Sequence, residues 1–136
     1  MIALDTNVVS ELMRATPDDR VMRWLDAQAP DTLVITSVTV AELLYGIARL
    51  PAGRKRTQLE AAFAETLEEE FTILPFDEAA AVDYATIVAS QELRGRKVSM
   101  ADAMIAATCM TAGATLATRN TKDFDPLGIE LIDPWR

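Results

Sequence analysis

Asp5 stands directly after a short apolar run, Ile2-Ala3-Leu4, that is too brief for a helix and reads as a strand. Three other segments deliver an acid or amide in a comparable place. Glu42 lies in TSVTVAE, in the opening of the helix after a second strand. Asp102 lies in VSMAD, three residues into the last long helix. Asn120 and Asp123 lie in TRNTKDF, straight after a fourth strand. The chain has no histidine and one cysteine, Cys109. Ser-His-Asp triads, Cys-His pairs and histidine-bound zinc are therefore excluded, and acid–base or metal chemistry must rest on carboxylates, Lys, Tyr or the lone thiol. Carboxylates converging on one cleft raise one another's pKa unless something neutralises them. A hard divalent cation does so. Oxygen donors alone point to Mg²⁺ or Mn²⁺, and a metal ion acidifies its water into a nucleophile near neutral pH.

Each acid also has a capping explanation. Asp5 suits a helix N-cap, Thr39-x-x-Glu42 and Ser99-x-x-Asp102 match the capping box or its Asp variant, and Asp123 suits a turn before Phe124. On a helical wheel Glu42 lies opposite the Val40, Leu43, Leu44, Ile47 stripe, beside Tyr45 and Arg49, which is the placement of a solvated face.

The elements that must position these acids alternate. Strands are expected at Ile2–Leu4, Thr32–Ile35, Thr72–Pro75, Thr115–Thr118 and Ile129–Ile132. Val8, Leu12 and Met13 suit a short helix after Asp5. Thr16 as N-cap with Pro17 behind it starts another, carrying Val21, Trp24 and Leu25. Two helices follow the second strand as a hairpin, with Arg54-Lys55-Arg56 at its turn and Leu59, Ala62, Phe63, Leu67 and Phe71 on the second member's apolar side. Asp77 caps a helix to about Leu93, and Ser99 caps a last one that is apolar on most faces. This alternation implies one α/β domain over residues 1–136, with a mainly parallel sheet of about five strands. In such sheets ligands bind outside the carboxyl ends of the strands.

Half of the 136 residues are hydrophobic, enough for one sizeable core. The net charge of −8 argues, by itself, against a nucleic-acid partner; a bound cation reverses that sign locally. The first residues lack a basic stretch followed by an apolar one, and the tract Met100–Ala117 is broken by Asp102, Gly113 and several Thr. Neither a secretory leader nor a membrane span is expected. The lone Cys109 reads as a buried small hydrophobe in a reducing compartment.

DTNVVSEL, TVAELLYG, ADAMIAA, LATRNTKDF and the closing Pro-Trp together resemble the PIN-domain ribonucleases, and among them the VapC-type toxins of toxin–antitoxin pairs, FitB-like members included. The likeness runs from Met1 to about Trp135. It implies a three-layer α/β/α fold and a metal-dependent endoribonuclease. The family's acidic triad carries over to Asp5, Glu42 and Asp102, with Asp5 and Asp102 holding the metal most directly and Glu42 directly or through water. Some members place Asp where this chain has Asn120, and others rely on the acid three residues later, here Asp123. Thr6 and Thr118 are the supporting hydroxyls. The resemblance further implies homodimers, a cytoplasmic setting, and inhibition by a VapB-like antitoxin that places a basic side chain in the acidic cleft.

Basic clusters that would guide an RNA backbone are Arg54-Lys55-Arg56, Arg94 with Arg96-Lys97, and Arg119 with Lys122. Two other classes compete. A receiver-like Mg²⁺ domain needs paired acids after its first strand and a phosphoacceptor Asp after a central one, where this chain offers Asp5-Thr6 and a capping Asp77. A non-catalytic PIN-like module would only bind partners.

Overall fold

The computed structural model describes residues 1–68 and 71–136. Five strands, β1 (Ile2–Leu4), β2 (Leu33–Thr36), β3 (Thr72–Leu74), β4 (Thr115–Ala117) and β5 (Leu131–Ile132), form one sheet in the order β3-β2-β1-β4-β5. All four pairings are parallel. Parallel neighbours need crossover helices, which cover both faces. Among the described residues the α-helices are α1 (Thr6–Leu12), α2 (Asp19–Asp26), α3 (Ser37–Ala48), α4 (Arg54–Glu68), α5 (Glu78–Leu93), α6 (Met100–Ala112) and α7 (Thr121–Phe124). The order differs from the 2-1-3-4-5 arrangement of receiver-type sheets, which removes that reading.

Strand alternation sorts the core into two halves. Ala3, Val34 and Leu116 pack with Ile87, Ile105, Ala106 and Phe124 on the α5–α6 side. Leu4, Leu33, Ile35 and Ala117 pack with Val8, Val21, Leu43, Phe63 and Trp135 on the α1–α4 side. The result is the expected three-layer α/β/α arrangement, with the α4 stripe of Leu59, Phe63 and Leu67 turned inward.

Some boundaries shift for local reasons. Thr32 leaves the second strand because its N–H and hydroxyl both donate to the Ala29 carbonyl, at 3.0 and 2.6 Å, in a tight 3₁₀ turn. Thr36 joins the strand instead. The cap of α2 is Asp18, not Thr16: the Asp18 N–H donates to the buried Glu11 carboxylate at 3.2 Å, and the Asp18 side chain accepts from the Arg20 N–H at 2.8 Å. Gly128, at φ 82°, turns the chain before β5 and shortens that strand at its start. Asp77 and Ser99 cap α5 and α6 as expected. Met100 lies on α6's exposed side, so the face of that helix at its first turn is not buried.

Candidate active site

The chain builds outward from β1 to β2 and β3 on one side, then crosses to β4 and β5 on the other. The point of reversal lies between β1 and β4, where a crevice opens at the strands' carboxyl ends. Asp5 directly follows β1 there, and Thr118 directly follows β4. The Asp5 N–H donates to the Ala117 carbonyl at 2.9 Å, so the sheet ladder itself fixes the acid's place.

Asp5 is 4% exposed. Its Oδ1 accepts the Thr6 N–H at 2.8 Å, and its Oδ2 accepts the Thr118 hydroxyl at 2.7 Å. Asn7 Nδ2 donates to Asp5 Oδ2 and Thr118 Oγ1, each at 3.4 Å, while Asn7 Oδ1 accepts the Arg119 N–H at 3.2 Å. Asn7 thus ties the loop after β1 to the loop after β4. The sequence reading missed it; the available signal was a third polar residue, in DTN, straight after a buried strand.

Thr6 has two roles. Its N–H holds Asp5, and its hydroxyl donates to Glu42 Oε1 at 2.7 Å. Glu42 is half-buried, not on a solvated face. Glu42 leaves the expected solvated face because α3 begins at Ser37 with Thr36 as N-cap, so Thr39 is buried inside the helix and the side bearing Glu42 meets the start of α1. Leu44 of the expected stripe is exposed, whereas Leu43 and Ile47 are buried. Neither Glu42 nor Asp123 caps a helix. Asp123 lies within α7, and Asn120 at that helix's start makes no side-chain cap bond.

The acids feel one another. Burial pushes the Asp5 carboxyl above its ordinary pKa, the Thr118 and Thr6 hydrogen bonds pull it back, and the charges of Asp102 and Glu42 push it up. Asp102 is raised chiefly by burial, opposed by Ser99 and reinforced by Glu42 and Asp123. Among the described residues none of the four acids has a Lys or Arg within ion-pair distance. Nor do any three acidic side chains come close enough to cage an ion alone. The expected convergence is therefore one of neighbouring charges rather than of a closed cage.

The basic clusters separate. Arg96, Lys97 and Lys122 line a cavity with Asp102 and Asp123. Arg119 lies over the Trp135 ring, 5.0 Å from its centroid. Arg54-Lys55-Arg56 forms the first turn of α4, with Arg56 paired to Glu60 at 2.9 Å and Lys55 beside Met13 and Arg14. Met13, Arg14 and Leu59 also line an apolar cavity of about 310 Å³ that reaches Thr6 and Glu42, so Lys55 lies further along the groove from the acids.

The PIN domain family matches residues 2–128. The chain belongs to the PIN-domain family. It is 43% identical over 141 aligned positions to the VapC ribonuclease Y4jK of Sinorhizobium fredii, covering 99% of this chain and 98% of that one. It is 39% identical to the toxin FitB of Neisseria gonorrhoeae, covering 99% of each. The crystal structure of FitAcB from Neisseria gonorrhoeae superposes with a TM-score of 0.91 at 39% identity, covering 100% of this chain and 99% of that one. The fold and the VapC/FitB likeness read from the motifs are thus both borne out. PIN-domain nucleases of this kind generally depend on a divalent metal ion.

Proposed function

We propose that Asp5, Glu42, Asp102 and Asp123 act as one divalent-cation site for hydrolysis of RNA phosphodiester bonds. The chain is a VapC-type ribonuclease toxin of a toxin–antitoxin pair. Its partner is a cognate antitoxin. The observation that carries the site assignment is a carboxylate at 4% exposure, flanked by two more acids and free of any cationic side chain among the described residues. An uncompensated charge cluster of this kind costs folding energy and is kept where it serves a function.

The donor set fits the ion. All donors are oxygens, which suits Mg²⁺, with Mn²⁺ as a substitute. Mg²⁺ is usually gripped by one or two carboxylates and keeps several waters, so two acids with water suffice. Asp5 and Asp102 would hold it, with Glu42 contributing directly or through water. A cation there supplies Lewis-acid stabilisation of phosphoryl charge and acidifies water.

The chain's own residues do the rest. Thr6 and Thr118 favour the charged form of Asp5 against its burial and fix its direction by donating to its two oxygens. Thr6 also aims Glu42 at the same crevice. Asp123, exposed on α7, completes the acidic rim with Asn120 as a polar neighbour. Lys122, Arg96 and Lys97 receive the RNA backbone, and Arg119 and the Arg54–Arg56 turn extend that track.

Tyr45 and Met100, 67% and 68% exposed, flank an apolar cavity floored by Val38 and Met104, a face that suits a second copy of the chain. No helix among the described residues is long and apolar enough to cross a membrane, and the single, unpaired Cys109 suits the reducing cytoplasm.

The test is cleavage of total RNA by purified protein with Mg²⁺ or Mn²⁺, against EDTA and Asp5→Asn controls. Cleavage lost in both controls is the expected result. Equal cleavage by Asp5→Asn would sink the site assignment, and a protein that binds RNA and antitoxin but never cuts would be the non-catalytic module.

A further inference from the structure

Beyond Asp102 and Asp123 lies a cavity of about 460 Å³ between the α5–α6 loop and α7. Its most unusual residue is Gln91. This side chain is only 4% exposed. Gln91 Nε2 donates to the Pro126 carbonyl at 3.0 Å, which fixes the orientation of the amide: nitrogen toward Pro126, oxygen away. Oε1 has no hydrogen-bond partner among the described residues, yet no fully buried side-chain polar atom is left unsatisfied there. Oε1 therefore keeps contact with open space, and the space Gln91 lines is this cavity.

The rest of the wall is mixed. Val98 and Leu127 are apolar, while Arg96, Lys97 and Lys122 are exposed cations with no ion-pair partner among the described residues. A buried acceptor at the base, apolar sides and free cations at the rim match a nucleotide: a base edge with an N–H donor, base faces, and phosphates. Asp102 and Asp123 on one wall place the cavity beside the proposed cation site.

We propose that this cavity seats the base of a nucleotide neighbouring the scissile bond, and that Gln91 Oε1 reads an N–H on its edge. The inference rests on the ribonuclease reading and deepens it, making Gln91 a specificity residue. A base edge presenting only an acceptor leaves both acceptors unpaired and is disfavoured. The cations at the rim bind phosphate without regard to sequence.

The test is selection of short single-stranded RNAs from a random pool by the Asp5→Asn protein, followed by binding of chosen RNAs. One position is expected to show a base preference. An abasic nucleotide there should weaken wild-type binding about 10-fold without divalent cation. In Gln91→Met the preference should vanish, and the abasic substitution should cost less than in the wild type, only the apolar contacts of Val98 and Leu127 remaining to be lost. Base preference is a ratio within one preparation, so a reduced folded fraction cancels. Lys122→Ala should weaken all sequences alike and lower the salt slope by about 1. A Gln91→Met protein that keeps the preference, or an abasic substitution without cost, would overturn the proposal. If the wild type never cuts RNA while these binding results hold, the nuclease reading fails and the base pocket stands.

Discussion

Thr6 joins Asp5 to Glu42: its N–H donates to Asp5 Oδ1 at 2.8 Å and its hydroxyl to Glu42 Oε1 at 2.7 Å. Two acids 37 positions apart in sequence are thereby set by one residue at the first position of α1. Thr6→Val keeps the shape and the N–H but removes the hydroxyl. Cleavage is expected to fall by about 10-fold, with a stability loss of about 1 kcal/mol, because Glu42 loses its aim but stays near water. Thr6→Ser should retain most activity. Rates and melting of the two variants check this; equal rates for Thr6→Val and wild type would refute the aiming role.

Thr118 is fully buried, donates to Asp5 Oδ2 at 2.7 Å and accepts the Asn120 N–H at 3.0 Å. Thr118→Val leaves Asp5 Oδ2 with only the long Asn7 Nδ2 contact at 3.4 Å and removes the acceptor of the Asn120 N–H. Denaturant unfolding should show a loss of about 1–3 kcal/mol, larger than for Thr6→Val, since Thr118 has no exposure to water to fall back on.

Asp5→Asn removes the charge that burial and its acidic neighbours disfavour. Without divalent cation, its melting temperature at neutral pH is expected to equal or exceed that of the wild type. Adding Mn²⁺ should raise the wild-type melting temperature and leave the variant's unmoved. A variant that melts well below the wild type in EDTA would show that the Thr6 and Thr118 hydrogen bonds outweigh the desolvation of Asp5.

Cys109 is buried, and that burial pushes its thiol up to about 12. The native thiol stays protonated at neutral pH, so alkylation by iodoacetamide should require unfolding. The sign of the pH effect follows. The unfolded thiol ionises near 9.0 while the native one holds its proton to about 12, so stability declines as pH rises through that window. Rapid alkylation of the native protein at neutral pH would contradict this.

Much of the fold is legible in the residues themselves. Short β-rich runs at Ile2–Leu4, Thr72–Leu74 and Thr115–Ala117 and the caps Asp77 and Ser99 act locally, so each could be read without knowing its neighbours. For the acids, the absence of histidine and placement after strands (for Asp102, in the first turn of the last helix) made Asp5, Glu42, Asp102 and Asp123 the expected set. The cap of α2 was not legible, because it depends on Glu11 reaching the Asp18 N–H from another helix.

By itself, the sequence determined which chemistry was possible, oxygen ligands and no imidazole, and the strand–helix alternation that makes a parallel sheet. Tertiary structure decided the rest. Only the order β3-β2-β1-β4-β5 sets Asp5 beside Thr118, 113 positions away, where one hydroxyl can hold the acid's second oxygen. Only the packing of α3 against α1 turns Glu42 from a surface residue into Thr6's partner. And only the closure of α7 and the turn after it against α5 leaves Gln91 tethered to Pro126 in the wall of a cavity. Local patterns carry preferences for turns and caps. Long-range hydrogen bonds exist only once the chain has closed, and they aim the side chains.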